Sequence, residues 1–190
     1  MSTVKLYYDL ASPYAYLAVA RAAEVLGAEP DLEPVLVGAI FGYRGRGSWA
    51  LTDERAAGEA EIERRAAAYG LPPLAWPEGW PVNSLQAMRA ATWATAQDAG
   101  PAFARAAYRR EFAEGRGLGS DVLAEAATEA GLDADAMIAA IAHDAVKLAL
   151  RRATDAAWEL GVQGVPTLET GRRLYFGDDR LGEAAAATRG

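Results

Sequence analysis

The sequence predicts an α/β protein in which one small sheet, made of a β-α-β half and a β-β-α half, is interrupted by a large all-helical insertion. Three observations predict it. Short apolar, β-branched and aromatic runs bounded by turn residues occur near both ends of the chain. Between Thr52 and Leu160, roughly one hundred residues carry helical periodicity and no strand signal. Alanine makes roughly a quarter of the 190 residues and 52% are hydrophobic, a composition that favours helix and can bury a core.

Val4 to Tyr8 (VKLYY) reads as the first strand. Asp9, Ser12 and Pro13 follow, and apolar spacing from Tyr16 to Leu26 predicts a helix. Ser12 stands where an N-cap belongs and Pro13 at the first helical position, while Gly27 ends the helix. Leu32 to Val37 (LEPVLV) is the second strand, with Pro34 tolerated near an edge. The insertion divides into helices over Asp53–Tyr69, Ser84–Asp98, Pro101–Glu114, Ser120–Ala130, Asp133–His143 and Asp144–Leu160, with Ser84, Ser120 and Asp133 as caps. Leu71 to Val82 (LPPLAWPEGWPV) holds four prolines and two tryptophans and reads as an ordered wall. Strand pattern returns at Thr167–Glu169 and Arg173–Phe176 around a Thr170-Gly171 turn, and a last helix begins at Asp178 or Asp179. The expected domains are residues 1–51 with 161–190, carrying the sheet, and the helical insertion 52–160.

The formal charge of −7, without a basic run, argues against nucleic acid as a partner. No cysteine is present, which removes disulfides, thiolate metal sites and cysteine nucleophiles. With His143 the single histidine, no metal site is expected. Neither a signal-type N-terminus nor an 18-residue apolar stretch is visible, so the expectation is a cytoplasmic protein without a membrane partner.

Two stretches can carry chemistry. At Asp9-Leu10-Ala11-Ser12-Pro13-Tyr14 a strand turns into a helix, whose unpaired N–H groups favour an anion and whose serine can donate to it. Taken alone, Ser12 equally reads as a simple cap. At Gly164-Val165-Pro166-Thr167 a proline stands before a strand. A cis bond there would expose the Val165 backbone to an extended ligand, and a trans bond would be an ordinary strand start.

Tyr8-Asp9-x-x-Ser12-Pro13-Tyr14-x-Tyr16-Leu17, Pro81-Val82-Asn83-Ser84-Leu85, Gly164-Val165-Pro166-Thr167 and Phe176-Gly177-Asp178-Asp179-Arg180-Leu181 occur in this order. Together they resemble the 2-hydroxychromene-2-carboxylate isomerase family, related to kappa-class glutathione transferases and more distantly to DsbA oxidoreductases. The resemblance runs from about residue 4 to residue 182. It implies a thioredoxin-like sheet interrupted by a helical domain, and a homodimer. Where the redox branch carries Cys-x-x-Cys, this chain has Ser12-Pro13-Tyr14-Ala15, so dithiol exchange is chemically excluded.

The resemblance further implies that glutathione, or another low-molecular-weight thiol, lies along Val165 before cis-Pro166. Its γ-glutamyl end would sit near Gly177, Asp178, Asp179 and Arg180, and its thiolate at the catalytic Ser12. Reversible addition of that thiolate to a small conjugated substrate, with rotation in the ring-opened adduct, gives isomerisation without net redox change. Asn83 would contact the organic substrate. Arg46 stands near a position where the family has an asparagine, in Arg44-Gly45-Arg46-Gly47, and could clamp a carboxylate.

Other signals are weaker. Gly45-x-Gly47-x-x-Ala50 does not sit directly between a strand and its helix, as a dinucleotide fingerprint requires. His143 lacks a nucleophile elbow and reads as a residue at a helix C-terminus. Arg109-Arg110 and Arg151-Arg152 read as solvated helix faces. Two rivals remain: a kappa-like glutathione transferase, which shares the thiol pocket, and a non-enzymatic module that binds peptide along the cis-proline edge.

Overall fold

The computed structural model describes residues 4–189. Four strands, β1 (Lys5–Tyr8), β2 (Asp31–Pro34), β3 (Thr167–Thr170) and β4 (Arg173–Phe176), form one sheet in the order β2-β1-β3-β4. β1 runs parallel to β2 and antiparallel to β3, and β4 is antiparallel to β3. Leu6 registers with Leu32 on one side and Leu168 on the other, and all three are buried. Leu6, Tyr7 and Tyr8 are buried in succession, the pattern of a strand covered on both faces. β2 is an edge strand, so the N–H that Pro34 lacks is not missed; the ladder continues through Val35 N–H to the Tyr8 carbonyl at 3.0 Å.

The second strand is shorter than its apolar run predicts. It stops at Pro34, and α2 (Val37–Tyr43), which the periodicity does not reveal, follows at once. Tertiary partners turn the chain: the Leu36 N–H donates to the Thr154 hydroxyl at 3.0 Å and the Val37 N–H to the Asp9 carboxylate at 2.9 Å. α1 (Pro13–Leu26) begins and ends as read, with Ser12 as cap and Gly27 left-handed at φ +74°.

The insertion holds α3 (Arg55–Ala68), α4 (Leu85–Ala96), α5 (Gly100–Tyr108), α6 (Ser120–Glu129), α7 (Ala134–Ala140) and α8 (Asp144–Leu160). Ala87, Ala91, Ala104, Ala107, Ala126 and Ala127 are buried where α4, α5 and α6 meet, so small side chains let these helices approach closely. Asp133 caps α7 as expected, accepting from Ala136 N–H at 3.0 Å. Gly119, not Ser120, precedes α6, and Ser84 makes no capping bond. His143 precedes α8 rather than closing α7, because α7 ends at Ala140. A π-helical turn over Arg109–Ala113 extends α5. It draws Arg110 inward against the Ala106 carbonyl and onto Glu125 and Glu129, so Arg110 is nearly buried rather than solvated.

A 3₁₀ turn at Asp178–Arg180 leads into α9 (Leu181–Arg189). α1 and α9 pack together over the sheet, whereas α8 packs with α2 and α4 beside β2. Among the described residues no helix is long and apolar enough to cross a membrane.

Candidate active site

At the end of β1 the Ser12 N–H closes a tight turn onto the Asp9 carbonyl at 2.9 Å, and Pro13 starts α1. Ser12 Oγ accepts from Ala15 N–H at 3.2 Å, and the Ser12 carbonyl accepts from Tyr16 N–H at 3.0 Å. Pro13 has no N–H, so the Tyr14 amide is the first-turn donor left to the helix tip. Ser12 uses an oxygen lone pair as cap, and its own hydroxyl hydrogen stays available to an anion at that tip. Ser12 is partly exposed.

Asp9 holds the corner from below. Its fully buried carboxylate accepts from Ala11 N–H at 3.0 Å, Val37 N–H at 2.9 Å and the Ser84 hydroxyl at 3.0 Å. Burial pushes its carboxyl up from the ordinary value, and these three bonds oppose that. The buried Tyr108 hydroxyl donates to the Asp9 carbonyl at 2.8 Å. One aspartate thus joins the end of β1, the start of α2 and the loop before α4.

The proline-tryptophan wall stands against this corner. Trp80 is buried and donates from Nε1 to the Ala11 carbonyl at 3.2 Å, one residue from Ser12. It packs on Trp76 and Trp49 at ring separations of 4.7 and 5.7 Å, and Trp49 meets Tyr14 at 6.1 Å. Gly58 on α3 makes room, since a Cβ there would overlap the Trp49 ring. The result is an aromatic surface beside the serine.

The second stretch adjoins the first. The Val165-Pro166 peptide bond is cis, as is Trp80-Pro81 in the wall, which the sequence reading did not anticipate. The Val165 N–H and C=O make no hydrogen bond among the described residues. The Pro166 carbonyl accepts from Gly177 N–H at 3.0 Å, which brings the 177–180 turn to the proline. Gly177 has φ +119°, and a Cβ there would press on the Asp179 carboxylate, so only glycine fits.

Within that turn the two aspartates differ. Asp178 is buried, its oxygens taken by Arg65 Nη1 and the Tyr69 hydroxyl, each at 2.9 Å, so it ties the turn to α3. Asp179 is exposed and makes no hydrogen bond among the described residues, leaving its carboxylate open to an ammonium. Arg180 is engaged by Glu183 at 2.7 Å and would have to share its guanidinium with a ligand carboxylate.

Arg46 is exposed on the loop between α2 and Trp49, and among the described residues no side-chain partner holds it there. Arg44, read from the sequence only as part of the Arg-Gly alternation, donates from Nη1 to the Gln163 carbonyl at 2.8 Å and so supports the segment before Pro166. Asn83 is exposed; its Oδ1 accepts from Leu85 N–H at 2.9 Å, taking the capping role assigned to Ser84, while Ser84 turns inward to Asp9. Glu111 was also missed. It lies in the π-helical turn, fully buried, with neither carboxylate oxygen partnered among the described residues. Burial, with the charge of Asp9 adding to it, holds its carboxyl far above the ordinary value.

A family model described as DSBA-like thioredoxin domain matches residues 3–188. A 2-hydroxychromene-2-carboxylate isomerase of Sphingobium xenophagum is 30% identical over 190 residues, 94% of each chain. A solved structure of a 2-hydroxychromene-2-carboxylate isomerase superposes with a TM-score of 0.85 at 23% identity, covering 98% of this chain and 94% of that one. The cytosolic disulfide reductase DsbM of Pseudomonas aeruginosa with GSH superposes with a TM-score of 0.64 at 24% identity, covering 98% and 97%. The sheet with its helical insertion is thus a thioredoxin-like fold, as expected.

Proposed function

Since the chain belongs to the DSBA-like thioredoxin domain family and carries no cysteine, we propose that it is a glutathione-dependent isomerase of the 2-hydroxychromene-2-carboxylate type. The observation that carries this reading is the Ser12 corner: a hydroxyl and a free helix-tip amide converge where the chain has no thiol of its own. The Sphingobium relative supports the isomerase class, and the DsbM structure with GSH supports a thiol ligand on this fold.

The residues present fit such a cofactor. The unpaired backbone of Val165 offers one donor and one acceptor to an extended tripeptide, and the Asp179 carboxylate offers a partner for its ammonium. When bound, glutathione supplies a sulfur nucleophile that adds to and leaves a conjugated carbon, permitting rotation about the former double bond. Ser12 Oγ–H and Tyr14 N–H hold the thiol in its anionic form at the tip of α1. Asp178 fixes the 177–180 turn, and Trp80 fixes Ala11 and hence the direction of the serine. Trp49 and Trp76, partly exposed and backed by the buried Trp80, provide an apolar face for an aromatic substrate and exclude water beside the sulfur. Arg46 and Asn83, both exposed, reach the substrate from the rim.

Titrating the ultraviolet thiolate absorbance of bound glutathione tests this. The wild-type protein is expected to lower the thiol pKa, and Ser12→Ala to return it toward its solution value with turnover falling at least ~10-fold, about 1.4 kcal/mol. Equal pKa and turnover in both would remove the serine from the reaction. Ring opening of a chromene with glutathione recovered unchanged marks the isomerase; a stable conjugate would mark a kappa-like transferase. Peptide capture with no glutathione binding would mark the non-enzymatic module.

A further inference from the structure

A cavity of about 270 Å³ opens between α2, α4 and α8, and none of its lining residues belongs to the Ser12, Val165 or Gly177 groups. Its interior is apolar, with Leu36 from the segment before α2, Leu85 from α4 and Leu150 from α8. Its rim carries Arg89, Lys147 and Arg151 against a single carboxylate, Asp155. That is a local excess of positive charge on a protein whose formal charge is −7.

Arg89 is the informative residue. It is half buried on α4, its Nε is shielded from solvent without an acceptor, and no carboxylate forms an ion pair with it among the described residues. A shielded N–H without an acceptor is destabilising unless something binds it. The other two cations are loosely held. Lys147 pairs with the exposed Asp144 at 3.0 Å, and Arg151 stands 3.6 Å from Asp155.

We propose that this cavity is a second ligand site, separate from the thiol site, for a small amphipathic carboxylate with a one- or two-ring apolar body. The leucines take the hydrocarbon, Arg89 takes the carboxylate through Nε and a terminal nitrogen, and Lys147 adds a second positive charge. Asp155 at the rim repels a phosphate dianion more strongly than a monocarboxylate. The volume admits a naphthalene ring.

The test is an amide NMR titration of the full chain with 2-naphthoate and with the neutral 2-naphthylmethanol. Naphthoate is expected to shift amides in α2, the start of α4 and the first half of α8, and to bind at least ~10-fold more tightly than the alcohol. Arg89→Gln is expected to weaken naphthoate binding at least ~10-fold while the rest of the amide pattern is preserved. Ser12→Ala is expected to leave it unchanged. Should Arg89→Gln fail to fold, Lys147→Met decides, since it removes only an exposed ion pair. Shifts confined to Ser12 and Trp80, equal affinity for acid and alcohol, or naphthoate affinity unaffected in the folded variant would overturn the proposal.

Discussion

Ser12 combines two roles that its chemistry keeps separate. Its oxygen caps α1 through Ala15 N–H, and its hydrogen is free for an anion. Ser12→Ala therefore removes a cap worth about 1 kcal/mol, and urea denaturation should register a loss of that order with a cooperative transition retained. Glu111 is the opposite case, a carboxyl with no partner among the described residues. Because its folded pKa is raised, it stays protonated in the native protein at pH values where the unfolded chain has released that proton. Its contribution is fully present below about pH 4.5 and is lost as pH rises toward its folded pKa, by up to about 1.4 kcal/mol per pH unit. Glu111→Gln should flatten the decline in stability between pH 5 and 8, measured by urea denaturation at each pH. An unchanged slope would show that Glu111 does not titrate across this range.

Between elements, contacts made by few side chains set the site. α3 belongs to the insertion, yet Arg65 and Tyr69 hold Asp178, and through it the turn that carries Gly177 and Asp179. Replacing Asp178 by alanine leaves both donors without their acceptor, one of them charged, at a cost of about 2 kcal/mol. It should also weaken glutathione binding several-fold although Asp178 is not itself the exposed carboxylate; calorimetric titration beside a denaturation curve measures both. Loss of stability with full affinity would mean that the turn holds its shape without α3. The aromatic wall works in the same way, with Gly58 on α3 admitting Trp49 and Trp80 reaching back to Ala11.

Over the whole molecule, the sheet and the insertion converge on Asp9. Its carboxylate reaches Val37 at the start of α2 and Ser84 before α4, and its carbonyl is held by Tyr108 at the end of α5. Asp9→Ala strands three donors, Ala11 N–H, Val37 N–H and the buried Ser84 hydroxyl, and should cost roughly 3 kcal/mol. Because both parts share this residue, far-ultraviolet dichroism and tryptophan fluorescence should report one common, lowered midpoint. Two separated transitions would show that the sheet and the insertion unfold independently.

The alternation of strand and helix, the Ser12-Pro13 corner and the proline at 166 were legible in the chain because periodicity, caps and proline act within a few residues. The resemblance added the order of the four motifs and the expectation of a thiol. What the one-dimensional reading missed depends on long separations. Asp9 meets Ser84 across 75 positions, Arg65 meets Asp178 across 113 and Arg44 meets Gln163 across 119. Asp178 and Asp179 are identical in sequence terms, and only packing against α3 decides that one is buried as a clamp while its neighbour faces solvent. Strand length at β2, the inward turn of Ser84 and the isolation of Glu111 are decided likewise, by which distant groups are close enough to satisfy or shield a polar atom.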